Sequence, residues 1–342
     1  MPGKVRLGLI GAGRIGRVHA HNIAFRCPDA DLVVVADTDP EAARSCAEAC
    51  GAGGWTTNYH QVLEDPAVHA VVIASPTDTH ARIIEEAARE AKDILCEKPI
   101  DLSLARVDEA LAMVARSGVR LQIAFNRRFD PSFRRARDMV AAGKIGAPHL
   151  LRLTSRDPSL PSREYLAAAG GLFTDMTIHD FDMARWLLGE EVVGVWAQGA
   201  ALVDPTLVEL GDIDAAVISL RFASGALGCI DNHRGSAYGY DVRAEVHGSE
   251  GAVVVGNLAP TTLVHYRRDG LLADPPLHWF IERFEQAYVE ELREFVRCLR
   301  EDRAPSPDGA DGRAPLLLAA AANRSLRERR EVPVSEIEAS VS

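Results

Sequence analysis

The sequence predicts an α/β protein with an N-terminal, doubly wound parallel-sheet domain followed by a C-terminal α+β domain on a large, mostly antiparallel sheet. Three observations carry this prediction. Short apolar runs alternate with amphipathic stretches from Lys4 to Phe125, apolar runs follow one another across short turns after Asn126, and a glycine-rich turn stands at the first strand–helix junction. The length of 342 residues suits two domains, each large enough to bury a core.

In chain order the first part reads VRLGLI (strand), RIGRVHAHNIA (helix), DLVVVADTD (strand) and PEAARSCAEAC (helix). It continues through HAVVIASPT, THARIIEEAAREA, DILCEKPI, SLARVDEALAMVARSG and VRLQIAFNRR. Such βαβ alternation implies a parallel sheet covered by helices on both faces. The later runs VVGVWAQGAALV, DAAVISLRFASGALGCIDN, YDVRAEVHGSEGAVVVGN and TTLVHYRRDGLL read as antiparallel strands, with Ser224-Gly225 marking a hairpin. Helices are expected at SFRRARDMVAAG, FTDMTIHDFDMARWLLG, FIERFEQAYVEELREFVRCLRE and APLLLAAAANRSLRERR, the last two joined by the loose segment EDRAPSPDGADGRAP. The expected domains are residues 1–125 and 126–342, with the C-terminal helix a candidate for packing back onto the first.

Composition narrows the function. Hydrophobic residues make up 47% and charged residues 25%, as in ordinary globular proteins. A net charge of −11 offers no positive field for nucleic acid or an anionic membrane. Cys27, Cys46, Cys50, Cys96, Cys229 and Cys298 form no CxxC pair, and no His or Cys cluster completes a site around Cys46 and Cys50, so reduced thiols and no metal are expected. An apolar strand begins within five residues of Met1 and no apolar run approaches ~20 residues, so the expected location is the cytoplasm.

Gly11, Gly13 and Gly16 form GAGRIG directly after the first strand, enclosing Arg14 and Ile15. The first glycine permits a tight turn, the second lets backbone approach a pyrophosphate, and the third packs helix against strand, while helix N-terminal amides hold the phosphates. Asp37 stands 21 residues beyond Gly16 (37 − 16), at the end of the second strand, where a carboxylate takes ribose hydroxyls. This is the pattern of a Rossmann dinucleotide domain. With Thr38 and Asp39 following and no Arg to receive a 2′-phosphate, it points to NAD. His19 and His21, away from the helix N-terminus, read as ordinary helix residues.

Glu97-Lys98-Pro99 places Lys98 at the carboxyl end of a parallel strand, where ligands bind. In GGLFTDMTIHDFDMARWL, Asp175 and His179 are four apart and share one face of an expected helix, roughly 5–6 Å between Cβ atoms. The imidazole suits proton exchange near neutral pH and the carboxylate suits orienting a hydroxyl. Met176, Met183, Trp186 and Leu187 mark that helix as substantially buried.

GAGRIG, ASPTDTH, CEKP, FNRRFD, the GGxxxDxxxH stretch and YGYDVRAEVHGSEG, in this order and across nearly the whole chain, resemble the Gfo/Idh/MocA oxidoreductase family, most closely its inositol-oxidising branch. The resemblance implies a catalytic triad of Lys98, Asp175 and His179. It puts Ser75, Pro76, Thr77, His80, Glu97 and Asn126 along the cofactor, and Asn126, Arg127 and a tyrosine, Tyr238 in preference to Tyr240, against the substrate. The implied reaction is NAD-dependent oxidation of a ring hydroxyl of a cyclic polyol, myo-inositol or an isomer, to an inosose, by a homotetramer joined through the second-domain sheet. Proton transfer falls to His179 or Lys98. An aldose, an anhydrosugar or a sugar acid held through Arg127 and Arg128 is the alternative substrate. A non-catalytic NAD(P)-sensing regulator is the alternative function.

Overall fold

In the computed structural model residues 3–341 are described. They form two compact units, residues 3–129 with 286–316, and residues 130–285 with 317–341. The division is therefore discontinuous and differs from a single cut at residue 125: the helix Glu285–Glu301 supplies Leu292, Phe295, Val296 and Leu299 to the core of the first unit. Their i, i+3, i+4, i+7 spacing makes one apolar stripe, which is buried against that core.

The first unit holds a six-stranded sheet of β1 (Val5–Ile10), β2 (Ala30–Ala36), β3 (Gly54–Thr56), β4 (Ala70–Ile73), β5 (Asp93–Glu97) and β6 (Leu121–Ala124). The order is β3-β2-β1-β4-β5-β6 and every pairing is parallel. The order reverses beside β1, so the crevice at the carboxyl ends of β1 and β4 is the place where such sheets take ligands. β3 lacks an apolar run because it is a short edge strand, and half-buried residues suffice there. Val5, Leu7, Leu9, Val35, Val72 and Leu95 fill the core.

The second unit is built on a seven-stranded mixed sheet of β7 (Pro148–Asp157), β8 (Val192–Ala200), β9 (Ala215–Phe222), β10 (Leu227–Arg234), β11 (Asp241–Gly248), β12 (Ala252–Val255) and, later in the chain, β15 (Val332–Pro333). The order is β12-β11-β7-β10-β9-β8-β15, antiparallel except for the parallel pair β7–β10. The expected hairpin is present: β9 pairs with β10 across a turn in which Gly225 has φ +94°. TTLVHYRRDGLL does not join this sheet. It forms a separate two-stranded ribbon of β13 (Val264–Arg267) and β14 (Gly270–Ala273), exposed at every position. One face of the large sheet, with Leu153, Ile218, Leu220 and Val242, is buried, and the helix Thr177–Leu188 packs on it. The opposite face presents Leu150, Trp196, Val217, Leu227 and Val254 to solvent. The loose segment is shorter than expected, since helix resumes at Gly309 and includes Pro315.

Glu291 is fully buried in the first unit, and neither of its carboxylate oxygens has a hydrogen-bond partner among the described residues. Burial, reinforced by the neighbouring charge of Glu97, pushes its carboxyl well above the usual range. Below the ordinary carboxylate range both folded and unfolded chains carry the proton. As pH rises only the unfolded chain releases it, and stability is lost. Glu291→Gln is therefore expected to raise Tm more at alkaline than at acid pH. A Tm gain independent of pH, or a loss at alkaline pH, contradicts a protonated Glu291.

Candidate active site

β1 ends at Ile10, and the helix Arg14–His21 starts three residues after Gly11. Gly11 has φ +98°, and a Cβ there would stand 2.5 Å from the Ala74 carbonyl and Ser75 amide; one on Gly16 would stand 1.9 Å from the Gly11 oxygen. These two glycines are demanded by the protein's own packing. Gly13 is exposed and a Cβ there would meet nothing within 4 Å, so space for an approaching ligand is what its missing side chain provides. The helix begins with no side-chain cap and no acidic residue in its first turn, leaving its amides to an anion. Arg14 is exposed beside them and Ile15 is half-buried.

Asp37 follows β2, and its carboxylate accepts hydrogen bonds from the amides of Ala12 (2.6 Å) and Asp39 (2.9 Å). The carboxylate thus ties the glycine turn to the end of β2. Glycine turn, free amides and carboxylate together fit NAD. When bound, that cofactor supplies the hydride acceptor. After β4, Pro76 precedes the helix Thr77–Arg89, and Ser75 Oγ lies 2.6 Å from Thr79 Oγ1. His80 departs from expectation. Its ring is buried, with Nδ1 2.8 Å from the Pro99 carbonyl and Nε2 2.8 Å from the Ser75 carbonyl, so it braces two loops instead of lining a ligand surface.

Glu97 ends β5 and Lys98, half-buried, follows at the rim. His19, expected to be an ordinary helix residue, is fully buried with Nε2 2.8 Å from Glu97 Oε1. It fixes the residue preceding Lys98. Asn126, Arg127 and Arg128 occupy a buried 3₁₀ turn just after β6. Arg128 commits its guanidinium to Asp311 in a bidentate pair at 3.0 and 2.8 Å.

In the second unit Asp175 and His179 do not share one continuous helix. Asp175 ends the short helix Leu172–Asp175, and His179 lies in the first turn of the helix Thr177–Leu188, with Met176 between them. Gly171 (φ +84°) opens the short helix, and Asp212 Oδ1 accepts from the Leu172 amide at 2.8 Å. Asp175 Oδ1 accepts from Tyr165 Oη (2.8 Å) and Oδ2 from Arg234 Nη2 (2.6 Å). The helix bearing His179 is pinned to the sheet through buried Asp180, which accepts from Ser155 Oγ (2.6 Å) and Asn232 Nδ2 (2.8 Å). Thr177 Oγ1 bonds to the same Asn232. Of the two tyrosines, Tyr240 is 6% exposed and packed against Phe280 and Phe284, a core residue. Tyr238 is 46% exposed, its hydroxyl accepting from Arg156 (3.0 Å) and donating to Asp241 (2.6 Å).

Sequence reasoning missed His19, Tyr165, Arg234 and the Asp180–Asn232 pair. One signal was available for the last two. The inward positions of β10 run Gly228, Ile230, Asn232, Arg234, and those of β7 run Leu151, Leu153, Ser155, so both strands turn from apolar to polar along one face.

Comparison with known proteins shows the family. Residues 5–125 match the oxidoreductase family with an NAD-binding Rossmann fold, and residues 133–254 match the GFO/IDH/MocA C-terminal domain. The inositol 2-dehydrogenase of Rhizobium meliloti is 46% identical over 97% of this chain and 99% of its own. The myo-inositol 2-dehydrogenase of Thermotoga maritima is 43% identical, with the same coverage. The crystal structure of scyllo-inositol dehydrogenase from Lactobacillus casei with bound NAD(H) and scyllo-inositol superposes with a TM-score of 0.91 at 28% identity, covering 97% of this chain and 99% of that one. Among the described residues no helix is long and apolar enough to cross a membrane. The chain belongs to the Gfo/Idh/MocA family of NAD-binding oxidoreductases.

Proposed function

We propose that this protein oxidises one ring hydroxyl of myo-inositol or a close stereoisomer to the ketone, with NAD receiving the hydride. The near full-length likeness to inositol dehydrogenases carries the substrate class. The alternative of a sugar acid loses support because Arg128 spends its fork on Asp311, which removes the Arg127–Arg128 pair as a carboxylate clamp.

His179 takes the hydroxyl proton while the carbon gives up hydride, so that CH–OH and NAD⁺ become C=O, NADH and a proton. Lys98 and Asp175 hydrogen-bond the substrate and orient it. Asn126, Arg127 and Tyr238 read its remaining hydroxyls, and a site with such groups rejects rings whose hydroxyls leave them unpaired. The free thiols of all six cysteines accord with work in the cytoplasm. The open face of the large sheet, carrying Leu150, Trp196, Val217, Leu227 and Val254, is the contact surface of a homotetramer.

NAD reduction over a panel of inositols, aldoses and sugar acids should show the highest kcat/KM with an inositol. His179→Ala and Lys98→Ala should each lower kcat by roughly 10²–10⁴-fold. A sugar acid preferred over every inositol by about tenfold or more, or near-normal turnover in either variant, defeats the corresponding assignment. NAD should be strongly preferred over NADP, and Asp37→Ser with Thr38→Arg should shift the preference toward NADP. Equal use of both cofactors by the unaltered protein removes Asp37 from that role. Light scattering at micromolar concentration should give the mass of a tetramer, and a 37.0 kDa particle excludes it.

A further inference from the structure

Arg234 is the last residue of β10 and is completely buried, whereas the Asp175 side chain it meets keeps 14% of its surface open. Substrate can reach the carboxylate and cannot reach the guanidinium. Nη2 donates to Asp175 Oδ2 at 2.6 Å, while Nε and Nη1 have no hydrogen-bond partner among the described residues. The other acids nearby are engaged elsewhere. Buried Asp214, whose backbone carbonyl accepts from the Arg234 amide, has its carboxylate held by the amides of Leu202, Val203 and Asp204 at 2.7–2.8 Å. Asp212 accepts from the amides of Leu172 and Ile213 through Oδ1; its buried Oδ2 has no hydrogen-bond partner among the described residues and makes no ion pair with Arg234. Asp175 is thus the one carboxylate that Arg234 contacts through its side chain in the described structure.

We propose that Arg234 is the positioning residue for Asp175: from behind, it fixes the carboxylate's orientation and holds it as a hydrogen-bond acceptor for a substrate hydroxyl, leaving proton removal to His179. Tyr165 completes the arrangement by donating to the other oxygen, so both carboxylate oxygens are anchored and the group cannot rotate freely. Protonating Asp175 would leave a cation uncompensated in the protein interior, which is strongly unfavourable. Among the groups near Asp175 within its unit are Arg234, Tyr165 and, four residues on, His179, while Asp212 accepts from the first amide of the same short helix. The Arg234 guanidinium contacts the carboxylate directly and carries no other hydrogen bond on Nε or Nη1 among the described residues, so its charge acts on Asp175. This inference rests on the polyol-oxidation reading.

The test compares Arg234→Met, Arg234→Lys, Asp175→Asn and the double variant Asp175→Asn/Arg234→Met in the full-length protein, with NADH formation from myo-inositol followed across pH. Arg234→Met should lower kcat about 100-fold through misplacement of the carboxylate. It should also move the acid limb of the pH profile up by about 1–3 units, since an adjacent cation favours the ionised carboxylate. Arg234→Lys keeps the charge and should leave the limb in place with a smaller loss of kcat. The double variant should be no slower than Asp175→Asn alone. An unmoved acid limb in Arg234→Met, or a double variant whose loss is the product of the single losses, overturns the proposal. Should Arg234→Met not fold, Arg234→Gln, which removes the charge and keeps a donor, carries the same expectation. An unaltered protein inactive on every inositol would instead defeat the substrate reading. The pair is then judged by thermal melts: Asp175→Asn should lower Tm and adding Arg234→Met should restore part of it, and no recovery rejects the pairing.

Discussion

Charge taken out of water has to be matched, and in this protein matched pairs lie next to the residues to which the proposed function assigns the chemistry. An exposed ion pair such as Lys4–Asp31 contributes ~0–1 kcal/mol. A buried ion left alone costs several kcal/mol, so a buried pair dictates where its two elements must sit. Arg128 holds Asp311 and Arg234 holds Asp175, while a buried ring nitrogen of His19 lies against Glu97 beside Lys98. Arg283 pairs with Asp130 at 2.6 Å, and Asp130 in turn caps the helix Pro131–Ala141 through the amides of Ser132 and Phe133. None of these pairs is a large net source of stability. Their weight lies in specificity of arrangement.

The same logic explains why the second-unit sheet has two unlike faces. Alternation along β7, β9, β10 and β11 sends one set of side chains under the helix Thr177–Leu188 and the other into solvent. The covered face is apolar through Leu153, Ile218 and Ile230, then becomes polar at Ser155, Asn232 and Arg234. That change breaks the apolar pattern of a core face where Asp175 and the helix bearing His179 are anchored, a local conflict of the kind that proteins keep for function. The uncovered face stays apolar and exposed at Leu150, Trp196 and Val217.

The glycine turn of the nucleotide-binding domain relies on backbone, the Asp175–His179 arrangement on side chains. Gly11 and Gly16 are fixed by contacts inside the protein, while Gly13 has open space, and the free amides of the following helix need no side chain to attract phosphate. A backbone device of this kind tolerates different neighbouring residues. The Asp175–His179 arrangement depends instead on Tyr165, Arg234, Ser155, Asp180 and Asn232, each of which supplies a particular hydrogen bond.

By itself the sequence determined the βαβ order of the first domain, the glycine turn, the carboxylate at Asp37, the β9–β10 hairpin and the placement of Lys98 after a strand. All of these follow from periodicity, turn chemistry and spacing along one βαβ unit or less. Tertiary structure alone decided that residues 286–316 complete the first unit, that TTLVHYRRDGLL stands apart from the large sheet, and that Asp175 and His179 straddle a junction between two helices. It also decided that His80 and His19 are buried braces and that Arg234 reaches Asp175 from 59 residues away. The physical reason is common to these cases. Which partner satisfies a buried polar group is settled by packing between distant segments, and no periodicity in the chain records it.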